Sequence, residues 1–330
     1  MVINFTAVTR CMLTILLVSS SVWCDAQTDA LKQHGALHIE NGKMLDRHGL
    51  PPQLRGISLS WSVWGGKKYY NPDVVRWLKA DFNINLIRVS MAVEPRGGYL
   101  QQPEVQEKMI TSVVDAAIAA GIYVLIDWHD HHANVNLEAS KAFFRKMSKR
   151  YAGVPNVIYE IWNEPEKIDW KIVKTYAVEV ITEIRKNDPK NVIVVGSPRW
   201  DQDVDIAAKD PVTGFKNIAY SFHFYASDPN HQEKLMAKAD AAIQAGLALF
   251  VTEWGVGEAN GNGVFDLAKT TAWWNWMEKN KLSSANWNIT DKKETTALLF
   301  PGARVKGNWT PEQLTPAGLY IRKQLRVFNK

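Results

Sequence analysis

Ile122-Tyr-Val-Leu-Ile-Asp-Trp128 is an apolar, β-branched run that closes on ionisable residues, with His129-Asp130-His131 directly behind it. Seven more runs of this kind follow one another along the chain: Leu54–Ser58, Ile84–Met91, Val157–Trp162, Val192–Gly196, Ile218–Phe224, Leu247–Trp254 and Ser283–Trp287. Short continuous apolar runs mark strands buried on both faces, as in parallel sheets. Their starts lie roughly 30 residues apart, which leaves room for a crossover helix each time.

The intervening segments read as helices. Asn71-Pro72 supplies an N-cap and a first-turn proline, with Val74, Val75 and Leu78 on one face. Glu104–Ala120 sets Val105, Met109, Val113 and Ala117 at steps of four before the stop at Gly121. Leu137–Tyr151, Trp170–Lys186, Glu233–Ala245, Phe265–Asn280 and Thr315–Val327 follow, with a less regular pattern at Asp201–Ala208. Ahead of the first run, Gly35–Asp46 alternates around Asn41-Gly42, a tight hairpin signal. Eight strand and helix repeats without a composition break imply one α/β domain. No glycine-rich phosphate fingerprint follows the first run, which removes the commonest open, doubly wound sheet. The expected fold is a closed (β/α)8 TIM barrel with a short N-terminal β-hairpin, its active site at the C-terminal strand ends.

Composition fits one large core. Of 330 residues, 46% are hydrophobic and 22% charged, which excludes a disordered or collagen-like chain. Residues 1–26 carry Arg10, an apolar run from Cys11 to Val18 and small or polar residues ending at Ala26. This pattern predicts a secretory signal, since the apolar run is shorter than the roughly 18–20 residues of a membrane span. The expected product is a secreted, extracellular catalytic domain over 27–330, free of the membrane and, as Cys11 and Cys24 leave with the leader, free of cysteine. The net charge of +5 is dispersed, with no basic block to suggest nucleic acid, and nothing signals an oligomer, so a monomer is expected. Tryptophan is in excess, 14 against 11 Phe and 10 Tyr, and the count alone does not separate core from binding surface.

The strand ends gather Arg88, Asp127-Trp128-His129, Asn163-Glu164, His223 with Tyr225, Glu253 and Trp287. Glu164 follows the fourth run and Glu253 ends the seventh, so in a barrel they face each other across the mouth. Paired carboxyl groups are what glycoside hydrolysis needs: one protonates the leaving oxygen, the other attacks or assists at the anomeric carbon. Arg88 is placed to keep Glu253 ionised, and Asn163 to donate to a sugar 2-hydroxyl. Glu164 is expected to have a raised pKa, partly from the charge of Glu253. A metal-dependent hydrolase is the alternative, with His129 and His131 as a His-x-His pair and His223, Glu164 and Asp127 completing the shell. Against it, the pair sits on the third run and no further strand-end ligand completes the set.

Leu54-Arg-Gly-Ile-Ser58, Ile87-Arg-Val-Ser-Met91, Asp127-Trp-His-Asp-His131, Val157-Ile-Tyr-Glu-Ile-Trp-Asn-Glu-Pro165, His223-Phe-Tyr225, Val251-Thr-Glu-Trp-Gly255 and Ala285-Asn-Trp287 together resemble glycoside hydrolase family 5, and most closely its secreted endo-β-1,4-glucanases of bacteria and plant-feeding invertebrates. The resemblance spans Leu37 to Phe328. It implies retaining hydrolysis of a β-1,4-glucan without metal or cofactor, with mannanase, xylanase or xyloglucanase as alternative activities. By the resemblance, Glu164 is the acid/base and Glu253 the nucleophile. Arg88, His129, Asn163, His223, Tyr225 and Trp287 surround the scissile sugar, with Tyr225 bonded to the nucleophile and Trp287 as its platform. Lys292 and Glu294 bind hydroxyls on the non-reducing side, where Trp64 stacks. Many members carry a His after the first strand and a Tyr four residues after the Arg, whereas this sequence has Ser60 and Ala92, a change in the non-reducing-side subsites.

No Ser/Thr/Pro linker or cellulose-binding module is expected beyond this domain, and soluble or amorphous glucan is the expected preference. Trp61, Trp128, Trp162, Trp200 and Trp254 are expected to line the cleft, while Trp77, Trp273, Trp274 and Trp276 pack helices. Of two sequons, Asn288 adjoins the cleft, where a glycan would obstruct it, and is expected to be unmodified, which leaves Asn308 as the better candidate for a glycan, with Pro311 after it counting against use.

Overall fold

The computed structural model describes residues 29–329. The leader read at residues 1–26 lies outside them. A short helix α1 (Ala30–His34) and an antiparallel hairpin, β1 (His38–Glu40) and β2 (Lys43–Leu45), precede the main domain. The hairpin turns on Asn41 and Gly42, both at positive φ (49° and 71°), the backbone that a tight turn of this hand demands.

Eight parallel strands then close into a barrel: β3 (Arg55–Leu59), β4 (Leu86–Ala92), β5 (Tyr123–His129), β6 (Val157–Glu160), β7 (Ile193–Val195), β8 (Ile218–Tyr225), β9 (Leu249–Gly255) and β10 (Ser284–Ile289). Each overlaps one of the eight apolar runs. Around them lie α2 (Pro72–Trp77), α3 (Pro103–Ala119), α4 (Leu137–Arg150), α5 (Trp170–Arg185), α6 (Pro198–Asp201), α7 (Val204–Lys209), α8 (Glu233–Gln244), α9 (Leu267–Lys279) and α10 (Pro316–Phe328). Their starts follow from sequence: Asn71, Asp266 and Thr315 each accept an amide hydrogen of the first turn through a side-chain oxygen. In α3 the buried face is Ile110, Val113, Val114 and Ala117, and Val105 is exposed, so the step-of-four reading placed the stripe about one residue off at its start.

Period-two alternation divides the strands between two cores. Outward residues such as Val89, Ile126 and Phe222 pack against the helices. Inward residues Leu86, Tyr123, Leu125, Ile158, Val194 and Phe250 fill the lower barrel, sealed from below by Ala30, Leu37 and Met44 of the N-terminal segment. Tyr123 Oη donates to the Gly35 carbonyl at 2.5 Å, tying that plug to β5. The lower barrel is therefore solid, and polar side chains are inward-facing only toward the C-terminal ends.

Close strand packing sets one strict requirement. Gly56 of β3 pairs with Leu86 of β4, and a Cβ at this position would lie 1.8 Å from the Leu86 carbonyl oxygen. Gly56→Ala is expected to destabilise the fold by about 3 kcal/mol or more, seen as a lowered Tm or loss of soluble protein. An unchanged Tm would contradict this packing.

Candidate active site

Arg88, on β4 and fully buried, is the hub of the barrel mouth. Its guanidinium meets three carboxyl groups: Asp127 Oδ2 at 2.9 Å, Glu160 Oε2 at 2.7 Å and Glu253 Oε2 at 2.8 Å. It also donates to Asn163 Oδ1 at 2.6 Å. That bond fixes the Asn163 amide, leaving its NH2 group as the free donor. Backbone bonds from Asn163 N to Trp128 O (3.1 Å) and from Glu164 N to Asp130 O (3.4 Å) hold the segment after β6 against β5.

Glu253 reaches the pocket through a β-bulge. Between the pairs Ser221↔Phe250 and His223↔Glu253, β9 carries one residue more than β8. Phe250 faces the barrel interior, so strict alternation would turn Glu253 outward. The extra residue turns it inward, beside Thr252, whose hydroxyl meets His223 Nε2 at 2.8 Å. Tyr225 Oη donates to Glu253 Oε1 at 2.5 Å, so each carboxylate oxygen of Glu253 has its own donor.

Glu164 stands opposite. Its Oε1 is 2.9 Å from His223 Nδ1 and its Oε2 is 3.7 Å from His131 Nδ1. Carboxylate oxygens of Glu164 and Glu253 and a ring nitrogen of His223 all lie within 4.8 Å of one another. These three groups have the spacing of a metal shell, but Arg88, Tyr225 and the Glu164–His223 bond already occupy them. His129 is likewise engaged, with Nδ1 2.7 Å from Asp127 Oδ2 and its ring stacked on Trp287 at 5.3 Å and edge-on to Trp61 at 4.1 Å. Burial and the Arg88 charge hold the His129 pKa well below the ordinary value, so the ring is neutral.

The proton distribution differs from the sequence expectation. Burial favours a neutral Glu164, but the His223 hydrogen bond and charge outweigh it, and the Glu164 pKa is lowered. Burial opposes charge on His223 too, yet Asp201, Glu160, Glu164 and Glu253 hold its pKa well above the usual imidazole range. In the free site the proton needed by a general acid is thus held off Glu164, on the His223 side of their hydrogen bond. Burial, joined by the Glu164 charge, raises Glu253 against the pull of Arg88, His223 and Tyr225.

These groups floor a cleft of about 1050 Å³, lined among others by Trp61, Trp64, Trp200, Trp287, Lys292 and Glu294. Trp64 is 67% exposed and tilted against Trp61 at 5.7 Å. Lys292 Nζ and Glu294 Oε2 pair at 2.7 Å on the rim. All eleven site residues expected from sequence border this cleft or its floor. Ser60 lines it, whereas Ala92 is buried. The tryptophan reading needs correction: Trp128, Trp162 and Trp254 point outward from their strands or strand ends and pack against Phe143, Tyr176 and Phe224. They belong to the core with Trp273, Trp274 and Trp276. Of the two sequon asparagines, Asn288 is fully buried and Asn308 exposed.

Sequence reasoning missed Glu160, Asp201 and Thr252. Alternation within Val157–Glu160 places Glu160 on the same inward face as Ile158, and a charge on that face was a readable signal. No signal announced the bulge at Thr252. Asp201 ends α6, whose Arg199, Trp200 and Asp201 all have positive φ (61°, 55° and 60°). Such backbone costs roughly 1–2 kcal/mol per non-glycine residue. Bonds from Arg199 N to Glu166 O and Trp200 N to Pro165 O, both 2.8 Å, hold it in place.

Two facing carboxyl groups at the C-terminal mouth of a (β/α)8 barrel, set in an aromatic cleft, define a barrel glycoside hydrolase. Residues 45–293 match the family described as Cellulase (glycosyl hydrolase family 5), and the chain belongs to that family. It is 41% identical over 295 residues to Endoglucanase Z of Dickeya dadantii, covering 88% of this chain and 66% of that one. With Endoglucanase A of Evansella cellulosilytica it shares 42% over 284 residues, covering 84% of this chain and 57% of that one. The chain thus spans two thirds or less of these relatives' lengths. A solved structure from Cytophaga hutchinsonii superposes with a TM-score of 0.88 at 42% identity, covering 91% of this chain and 97% of that one. The catalytic domain of Thermobifida fusca endoglucanase Cel5A, a variant of it solved with cellotetraose, gives a TM-score of 0.85 at 30% identity, covering 90% and 99%.

A carboxylate that attacks carbon must be ionised, so if Glu253 is the nucleophile, activity is lost as pH falls through its raised pKa. The acidic limb of kcat/KM is expected above 4.5, the ordinary glutamate value. Tyr225→Phe removes a donor to the charged form and should move that limb upward by about one pH unit. A limb that stays in place or moves down contradicts this role of Tyr225.

Proposed function

We propose that this protein is an endo-acting β-1,4-glucanase that hydrolyses internal glucosidic bonds of cellulose or a related β-glucan with retention of configuration. The observation that carries the reading is that a carboxylate oxygen of Glu164 lies within 4.8 Å of one of Glu253, an approach that favours the closer of the two known spacings. Retaining enzymes hold their carboxyl groups about 5–5.5 Å apart, whereas inverting ones need roughly 6.5–9.5 Å to admit a water molecule. The endoglucanase relatives and the cellotetraose complex of a family neighbour support β-1,4-glucan as the substrate.

A glucosyl unit rests on the Trp287 platform with its 2-hydroxyl toward the Asn163 amide. Glu253, held by Arg88 and Tyr225, attacks the anomeric carbon while Glu164 protonates the leaving oxygen. Substrate displaces water from around Glu164, which favours its neutral form, and the proton crosses from His223 Nδ1 to Oε1. Water then opens the glycosyl-enzyme ester, with Glu164 as its base and His223 receiving the proton back. Lys292, Glu294 and Trp64 bind sugars on the non-reducing side. Residues 1–26 direct export in this reading, on the strength of their sequence pattern. Among the described residues, no helix is long and apolar enough to cross a membrane.

Proton NMR of the first products from cellooligosaccharides should show the β-anomer ahead of mutarotation, and an initial α-anomer would reject retention. Glu164→Gln and Glu253→Gln should each lower hydrolysis roughly 10³-fold with the fold intact. Near-normal activity in either variant contradicts its assignment. Reducing-sugar release should be greatest from carboxymethyl cellulose or mixed-linkage glucan, and a preference for mannan, xylan or xyloglucan would replace the substrate.

A further inference from the structure

His223 meets Glu164 through one ring nitrogen, and its other nitrogen faces a group that the chemistry above does not use. Around Nε2 lie Thr252 Oγ1 at 2.8 Å, Ser221 Oγ at 3.1 Å and Asp201 Oδ2 at 3.4 Å. Asp201 is fully buried. Its Oδ1 accepts the Ser197 amide at 2.5 Å, while Oδ2 has no hydrogen bond. An ionised carboxylate left this way in the protein interior is costly, whereas a protonated one is less so, and the imidazole nitrogen near it is His223 Nε2 at 3.4 Å. Charge counting points the same way. Asp127, Glu160, Glu164, Asp201 and Glu253 share this floor with one fixed cation, Arg88, and one group that is cationic only when it takes up a proton, His223, so the five cannot all be ionised. Asp201 stands apart from the Arg88 hub, and burial holds its carboxyl well above the carboxylate range.

We propose that Asp201 is a positioning residue, the buried end of a proton relay Asp201–His223–Glu164 that supplies the proton Glu164 gives to the leaving oxygen. This rests on Glu164 being the general acid. Once Oδ2 closes the 3.4 Å to Nε2 into a hydrogen bond, the Asp201 Oδ2–H bond breaks as a His223 Nε2–H bond forms, and the Nδ1–H bond breaks as a Glu164 Oε1–H bond forms. The ring passes from one neutral tautomer to the other, and one negative charge moves from Glu164 to Asp201. An ionised Asp201 beside a protonated His223 has the same proton count and is the midpoint of the transfer. When Glu164 acts as base, the steps run backward. The other groups facing His223 are Glu160, with Oε1 3.9 Å from Nε2, Glu253, and the Ser221 and Thr252 hydroxyls. None of the hydroxyls titrates in the working range, and Glu160 is bound to Arg88 through both oxygens.

The relay matters only where the leaving group needs a proton. Asp201→Asn keeps an acceptor for the Ser197 amide but offers no acidic proton. Its kcat/KM should fall about 10- to 100-fold on cellooligosaccharides. On 2,4-dinitrophenyl β-cellobioside, whose leaving group departs as an anion, the loss should stay within about 3-fold. The basic limb of the pH profile on cellooligosaccharides should move down by about one unit, since the Glu164–His223 pair then releases its proton more easily. Asp201→Glu should restore the limb. Equal losses on both substrates, or an unmoved limb, overturn the relay. Should the asparagine variant fail to fold, Asp201→Ser undergoes the same measurements with the same criteria. Glu164→Gln, run alongside, must show the same split between substrates. Absence of a split there refutes Glu164 as the acid, whereas its presence there but not in Asp201→Asn refutes the relay alone.

Discussion

One buried cation organises the catalytic mouth. Arg88 has no solvent contact and holds carboxyl groups from three other strands, Asp127 of β5, Glu160 of β6 and Glu253 of β9. Removing one member of such a cluster leaves charge stranded in the interior, at about 3–5 kcal/mol. The cluster therefore ties the upper ends of β4, β5, β6 and β9 to one another through side chains. It also leaves an excess of carboxyl groups over cations. Protonation states across the mouth are consequently linked, and the acid and the nucleophile are set by one shared network rather than by separate environments.

The barrel separates stability from chemistry along its axis. Inward side chains of the lower half, from Leu86 to Phe250, form a dry core capped by the N-terminal hairpin. The same strands, a few residues further on, place Arg88, Asp127, Glu160 and His223 on the same inward face. Alternation thus gives each strand an apolar lower end and a polar upper end. The solid base excludes water from below and lets Arg88 act at short range.

Much of this was legible in the amino-acid order because burial on both faces demands unbroken apolar runs, and all eight were visible. The facing pair Glu164 and Glu253 followed from the strand count. Three features were not legible, each for a geometric reason. The bulge at Thr252 leaves no mark in composition, although it alone turns Glu253 inward. The left-handed turn at Arg199–Asp201 lacks glycine, so nothing signalled that Asp201 would reach His223. Trp128, Trp162 and Trp254 sit beside polar residues in the chain yet face the opposite way, because neighbours on a strand point to opposite sides. The tryptophan excess accordingly divides between helix packing and a smaller cleft set of Trp61, Trp64, Trp200 and Trp287.

The central claim is that Arg88 and Tyr225 present Glu253 as the nucleophile that bonds to the sugar. Incubation with a 2-deoxy-2-fluoro-β-cellobioside bearing a dinitrophenyl leaving group, followed by peptide mass spectrometry, tests it directly. The account predicts one fluorocellobiosyl group per protein molecule, attached to the side chain of Glu253. Release of dinitrophenolate without any covalent adduct, or an adduct on Glu164 instead, would contradict it.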